Sequence, residues 1–161
     1  MKKSAILYMV AVFVMLAMSN TSVNAQDCDP VTRTQMRSML VQLGYEVKDL
    51  ETEPGKEKYS IKTTSHNLNI YVAVEQSANS KYIWLTANLG DAPPDTSIRY
   101  RKLIRENAII QPSLFYTSTS GLLMMGLPLE NKGLTNVFLR DRIETISNNV
   151  GKTRHLWDWQ E

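Results

Sequence analysis

The chain has 161 residues, a length typical of one domain, with 18 Lys and Arg against 16 Asp and Glu. Lys2 and Lys3 belong to a predicted signal peptide, and without them 16 basic residues balance the 16 acidic ones. The mature chain thus has a formal charge of zero, which gives no reason to expect nucleic acid as a partner. The one cysteine, Cys28, excludes an internal disulfide scaffold, while a free thiol and a bridge between two chains both stay open.

The first 25 residues have the three parts of a secretory signal peptide. Two lysines precede an apolar run over residues 5–18, and the small residues Val23 and Ala25 suit cleavage after Ala25. We expect the mature protein to be one domain of residues 26–161 and to be periplasmic or secreted. The apolar run is shorter than the roughly 20 residues that span a bilayer. We therefore expect no stable membrane span after cleavage, with an uncleaved anchor as the alternative.

The mature chain opens with a predicted helix over residues 30–43. Asp29 suits the N-cap and Pro30 the first helical position, and Gly44 stops the pattern. Four apolar residues follow at helical spacing, namely Met36, Met39, Leu40 and Leu43. The next residues, 49–58, are charged and contain Pro54 and Gly55, which predicts a loop or a bent edge rather than core.

From Tyr59 the apolar pattern alternates with a period of two, which indicates strands. The predicted strands cover residues 59–64, 68–75 and 82–89, with a hairpin turn at residues 65–67. Their short polar connections favour an antiparallel meander. One face of the second and third strands is aliphatic: Leu68, Ile70, Val72, Val74, Ile83, Leu85, Ala87 and Leu89.

A second helix is predicted after Pro94, capped by Asp95, Thr96 or Ser97 and ended by Pro112. Its less polar side is predicted to comprise Tyr100, Leu103, Ile104, Asn107 and Ala108.

Two strands and a long helix complete the predicted chain. Residues 114–118 form one strand, and the apolar run 122–127 predicts another that is buried on both faces and closed by Pro128 and Gly133. Thr135 is the predicted N-cap of the third helix, with Leu134 stapled onto Leu139, and Gly151 its predicted C-cap. The apolar stripe of this helix consists of Leu139, Ile143, Ile146 and Val150.

These elements predict the α+β class, with a five-stranded antiparallel sheet in α-β-β-β-α-β-β-α order and helices packed on one face. The chain resembles the YbjN-type sensory-transduction regulator family, which is similar to the type III secretion chaperone fold, over residues 32–150. The shared motifs are Leu-Gly-Tyr at 43–45, Leu-Thr-Ala-Asn at 85–88, and Pro-Leu followed by Gly-Leu-Thr within 128–135. The resemblance implies a non-enzymatic dimer with protein partners. A cytoplasmic chaperone role does not follow, since this chain is predicted to be exported.

Residues that could support catalysis are few. His66 lies in a predicted turn and His155 in the C-terminal tail, and neither belongs to a catalytic or metal-binding motif. We therefore expect no enzymatic activity, no metal site and no cofactor. The alternative is an enzyme whose dispersed carboxylates are brought together by folding.

The second helix carries the first candidate binding residues. Guanidinium groups of Arg99, Arg101 and Arg105 could hold a carboxylate, a phosphate or a sulfated glycan. The alternative is a solvated helix face without a ligand.

The sheet carries the second set of candidates. If the aliphatic faces meet the helices, Tyr71, Tyr82 and Trp84 lie on the other side with Thr86 and Asn88. Aromatic side chains suit recognition because they bury a large area and keep a polar handle. Such a face could form a dimer interface, a peptide groove or a platform for sugars; alternatively, a loop or the tail, with Leu156, Trp157 and Trp159, covers it.

The sequence thus predicts an exported, non-catalytic binding or regulatory protein that associates with another protein or with itself through its sheet or its second helix. A small-ligand or glycan-binding module that uses the aromatic sheet face is the first alternative. An enzyme with dispersed acidic residues is the second.

Overall fold

The computed structural model describes residues 29–158. The predicted signal peptide with its cleavage site, Cys28 and Trp159 therefore lie outside the described residues. Within them the chain forms four helices and six strands, and none of these helices has the length and apolar character needed to cross a bilayer. In chain order the elements are α1 (Arg33–Gln42), β1 (Val47–Glu51), β2 (Lys58–Ser65), β3 (Leu68–Gln76), β4 (Tyr82–Asp91), α2 (Ile98–Glu106), β5 (Leu114–Thr117), β6 (Leu122–Glu130), α3 (Asn136–Lys152) and α4 (Arg154–Trp157).

The six strands form one antiparallel sheet in the spatial order β1-β2-β3-β4-β6-β5. The first four strands follow each other as a meander. The chain then passes through α2 to the edge strand β5, and β6 returns between β5 and β4. The structure confirms the α+β class and the antiparallel sheet.

The predicted number of five strands is wrong, because β1 occupies part of the segment that the charge pattern assigns to a loop or bent edge. Val47 pairs with Ile61 and Asp49 with Tyr59, and the register shifts between Asp49 and Glu51. As an edge strand, β1 is largely exposed. Its sequence therefore lacks the alternation of apolar and polar residues that predicts a half-buried strand. Arg37 of α1 donates to both carboxylate oxygens of Asp49, at 2.8 and 3.2 Å, and this hydrogen bonding lowers the pKa of Asp49.

The core lies between the helices and one face of the sheet. The predicted aliphatic alternation of the strands is confirmed, since the buried strand residues are Tyr59, Ile61, Ile70, Val72, Val74, Ile83, Leu85, Ala87, Phe115, Leu123, Met125, Leu127 and Leu129. The helices contribute Met36, Leu40, Leu103, Leu139, Ile143, Ile146 and Val150 to the same cluster. All three long helices therefore lie on one side of the sheet.

Helix α1 begins three residues later than predicted. Its N-cap is Thr32, which forms a capping box with Gln35, so Asp29 and Pro30 precede the helix. The buried side chain of Asn131 holds the backbone of Val31, accepting from its N–H at 3.0 Å and donating to its carbonyl at 3.0 Å. This long-range pairing keeps the segment out of the helix, and a local pattern cannot show it.

Other details differ from the predictions. Strand β6 is not buried on both faces, since Leu122, Met124 and Pro128 are only half-buried on the side away from the helices. Pro128 itself lies inside β6, which continues to Glu130. Because β5 begins only opposite Gly126, Pro128 lies on an edge section of β6, where a missing N–H is tolerated. On α2, Leu103 is buried as expected, whereas Ile104 is half exposed and Ala108 is exposed.

The prediction that Gly151 caps the long helix is also wrong. Helix α3 runs to Lys152, with Thr153 as its C-cap, and Gly151 is a buried residue within it. His66, in the two-residue hairpin turn with Asn67, packs against Gly151 so closely that a Cβ there would lie 2.6 Å from the ring Cδ2. The ring Nε2 lies 2.9 Å from Oδ1 of Asn148. Gly151 is therefore required for the approach of the hairpin to the helix.

A methyl group at Gly151 should destabilise the protein only while His66 is present. For Gly151→Ala we expect the free energy of unfolding to fall by about 1–3 kcal/mol, as at other overpacked sites. In a His66→Gly background the same substitution should be neutral or stabilising by up to about 1 kcal/mol, because Ala has the higher helix propensity. Urea unfolding measures both changes, and an equal loss in the two backgrounds would show that His66 does not limit this position.

Candidate functional site

The sheet surface opposite the helices is the candidate site, and we call it the outer face. It consists of the outward side chains of β3 to β6, which alternate with the buried ones. Its aromatic and aliphatic members are Tyr71, Tyr82, Trp84, Leu114, Tyr116, Leu122, Met124 and Pro128. None of these side chains belongs to the core cluster or packs against it.

The centre of the outer face is formed by two aromatic rings around Gly126. Trp84 of β4 pairs with Pro128, and Tyr116 of β5 pairs with Met124, so the two rings approach Gly126 from both sides. A Cβ on Gly126 would lie 2.9 Å from Cε1 of Tyr116 and 3.5 Å from Cζ3 of Trp84. The absent side chain therefore leaves room for the rings to lie close to the sheet.

This ring pair explains why a polar side chain on the outer face is buried. Thr86 pairs directly with Gly126 and is only 5% exposed, although it points away from the helices. Trp84 and Tyr116 are half-buried and shield this row of the sheet. The centre of the outer face is thus a packed aromatic surface.

The two exposed tyrosines lie towards opposite ends of the outer face. Tyr71 is 63% exposed. Because Val72 pairs with Ala87 in the antiparallel register, the preceding residue Tyr71 lies level with Asn88. Tyr82 begins β4, opposite Glu130. At about 3.3 Å per residue, the level of Tyr71 is roughly 13 Å along the strand from Trp84. The structure places Tyr71, Tyr82 and Trp84 on one face, as predicted, but spread along it.

Tyr116 is a member of the site that the sequence interpretation missed. The predicted strand over residues 114–118 alternates, so an inward Phe115 already indicates an outward Tyr116. Its neighbours could not be inferred, since they depend on β5 pairing with β6. Burial raises the pKa of the Tyr116 phenol above its ordinary 10.0, and the negative charge of Glu75 adds to the rise.

The margin of the outer face towards β2 is charged. Lys58 and Glu75 form an ion pair at 2.9 Å, and Glu75 pairs with Trp84 across β3 and β4. Lys62 lies opposite Tyr71. The face therefore combines an aromatic centre with a polar rim, the arrangement typical of protein-binding surfaces.

The C-terminal tail does not cover the outer face as far as Asp158, the last residue described. Leu156 and Trp157 pack against the core cluster on the helical side. The indole Nε1 of Trp157 donates to the carbonyl of Val150 at 3.1 Å. Leu156 and Trp157 therefore do not cover the rings of Trp84 and Tyr116.

The predicted binding residues Arg101 and Arg105 are not brought to the outer face. They lie exposed on α2, whose buried residue Leu103 joins the core with the other helices. The structure therefore separates the candidate residues into two surfaces, one on the sheet and one in the helical layer.

A polar cleft of about 530 Å³ lies between the β2–β3 hairpin and α3. Its lining includes Thr63, Ser65, Asp141, Glu144, Ser147 and Asn148. The hydroxyls of Ser147 and Thr63 are 2.8 Å apart, and Ser147 also donates to the carbonyl of Ile143 at 2.7 Å. His66 bonds Asn148. These hydrogen bonds join the hairpin to the helix and do not connect a hydroxyl, a histidine and a carboxylate.

The described residues contain no cluster of three or more His, Cys, Asp and Glu side chains placed to hold a metal ion. A scan against protein-family models gives no match for the chain, and a search of curated proteins gives none either.

Tyr116 should make part of the stability of the protein dependent on alkaline pH. Its pKa is raised in the folded state, so stability is complete below the ordinary value of 10.0 and falls as the pH rises above it. For Tyr116→Phe we expect unchanged stability near neutral pH and a smaller loss above pH 10.0.

Urea unfolding at a series of pH values measures this difference. Some alkaline loss should remain in the variant, since burial also raises the pKa values of Tyr45 and Tyr59. Parallel pH profiles for the variant and the unmodified protein would contradict the assignment to Tyr116.

Proposed function

We propose that the protein is a non-catalytic binding protein whose outer face docks another protein, with a second copy of the chain as the simplest partner. The observation that carries the proposal is the aromatic centre formed by Trp84 and Tyr116 around Gly126 on a face that the described helices and tail leave uncovered. An antiparallel sheet with one face in water ordinarily presents alternating polar residues there. The centre of this face instead presents aromatic and aliphatic ones.

Aromatic residues at such a position favour protein recognition. Tyr and Trp dominate the binding energy of many interfaces, because each buries a large area and loses few rotamers. The Lys58 and Glu75 pair at the margin can supply the polar rim that excludes water from the centre. Two copies facing each other would bury both aromatic centres in one two-fold interface.

The other parts of the proposal come from the sequence. Residues 1–25 support export to the periplasm or beyond, so the partner would be met outside the cytoplasm. The short motifs shared with the YbjN-type family, at residues 43–45, 85–88 and 128–135, support a regulatory dimer rather than an enzyme.

A sugar or small ligand is the second candidate. The observation that favours it is the close approach of the Trp84 and Tyr116 rings to the sheet at Gly126. Aromatic rings that lie close to a sheet can also stack on a pyranose ring. This alternative requires that the monomer binds the sugar or small ligand.

Self-association should depend on exposed tyrosines of the outer face. Sedimentation equilibrium over a wide concentration range should show masses between one and two times that of the processed chain. For the double variant Tyr71→Ser with Tyr82→Ser we expect the dimer dissociation constant to rise about tenfold or more, since tyrosine is enriched among the interface residues whose truncation costs about 1 kcal/mol or more.

The matched control changes exposed apolar residues of the helices. Val137, which is 80% exposed on α3, and Val41 of α1 are both replaced by Ser, and association should stay unchanged. A monomer mass at every concentration would overturn self-association. A monomer whose tryptophan fluorescence responds to oligosaccharides would favour the second candidate.

A further inference from the structure

Helix α2 presents a second surface, unrelated to the outer face of the sheet. Its outward stripe consists of Ile98, Arg101, Lys102, Arg105 and Ile109, at spacings of three, one, three and four residues. Such spacing places side chains on one side of a helix. The chain continues in helical turns past Glu106, since the N–H of Ile109 bonds the carbonyl of Glu106 at 2.8 Å.

The outward direction of the stripe is determined by anchors on the other side of the helix. Leu103 is buried in the core cluster. The Asn107 side chain accepts from the N–H of Phe115 at 2.7 Å and donates to its carbonyl at 3.2 Å. These contacts hold the opposite side of α2 against the protein and leave the stripe in solvent.

The stripe combines positive charge with exposed aliphatic side chains. Ile98 is 72% exposed and Ile109 is 75% exposed, and the three basic residues lie between them. Arg101, Lys102 and Arg105 form no ion pair with the carboxylates of residues 29–158. The one acidic residue of α2, Glu106, is half-buried.

We propose that this stripe docks the protein peripherally on an anionic phospholipid surface. Basic side chains are attracted to lipid phosphates, and apolar side chains on the same helix face enter the boundary between headgroups and acyl chains. The long stems of Arg and Lys can lie along that boundary while their charges stay at the phosphates. A soluble polyanion would use the charges alone and leave two isoleucines in water.

Docking through α2 uses the helical layer, whereas the outer face lies on the other side of the sheet. Membrane attachment and protein binding through Trp84 and Tyr116 can therefore occur together. The lipid proposal does not depend on self-association, so each can fail without the other.

Vesicle sedimentation tests the proposal. The chain from Gln26 is used, since it contains every described helix and strand and lacks the apolar residues 5–18, which would themselves enter a bilayer. We expect binding to vesicles that contain phosphatidylglycerol, little binding to phosphatidylcholine alone, and weakening as salt is raised. Two double variants, Arg101→Glu with Arg105→Glu and Ile98→Ser with Ile109→Ser, should each reduce the partition coefficient by about tenfold or more.

The control variant, Lys81→Glu with Lys132→Glu, makes the same change in charge at two exposed residues outside α2 and should bind as the unmodified protein does. Several outcomes would overturn the proposal. One is equal weakening by the control, which would indicate unspecific charge attraction. Another is full vesicle binding by the isoleucine variant. A third is retention on heparin without binding to anionic vesicles, which would identify a polyanionic polymer or an acidic protein surface as the partner.

Discussion

The packing of α3 on one face of the sheet is the contact on which the rest of the structure depends. Leu139, Ile143, Ile146 and Val150 lie in the same cluster as the inward residues of the strands. Each such side chain contributes about 1.5–3 kcal/mol on burial. Because α1 and α2 add their buried residues to the same side, no helix within residues 29–158 covers the opposite face of the sheet. The exposed aromatic surface is thus a consequence of how the core is built.

Two buried glycines, one in β6 and one in α3, each leave space for the ring of another side chain. Gly126 in β6 accommodates the rings of Tyr116 and Trp84, and Gly151 in α3 accommodates the ring of His66. In both cases a ring occupies the space that a Cβ would need. Gly126 thereby shapes the proposed binding face, while Gly151 allows the β2–β3 hairpin to lie against the long helix.

One buried amide joins segments that are far apart in sequence. Asn131 bonds the backbone of Val31 through both its side-chain oxygen and nitrogen, and its nitrogen also donates to the carbonyl of Ser80 at 2.9 Å. A buried amide without such partners would destabilise the fold by about 1–3 kcal/mol. The residue therefore positions the entry to α1 beside the β3–β4 turn.

The sequence by itself determined the class of the fold and which face of β3 and of β4 is buried, because alternation in residues 68–75 and 82–89 depends only on local geometry. It also placed the N-cap of α3 at Thr135, since capping is a local hydrogen bond. The tertiary structure alone decided that residues 47–51 form an edge strand and that Asn131 holds Val31 outside α1. It likewise decided that His66 packs against Gly151 and that Tyr116 and Trp84 both lie beside Gly126 of β6. Each of these features requires a partner distant in sequence, and a pattern within a short window carries no information about that partner.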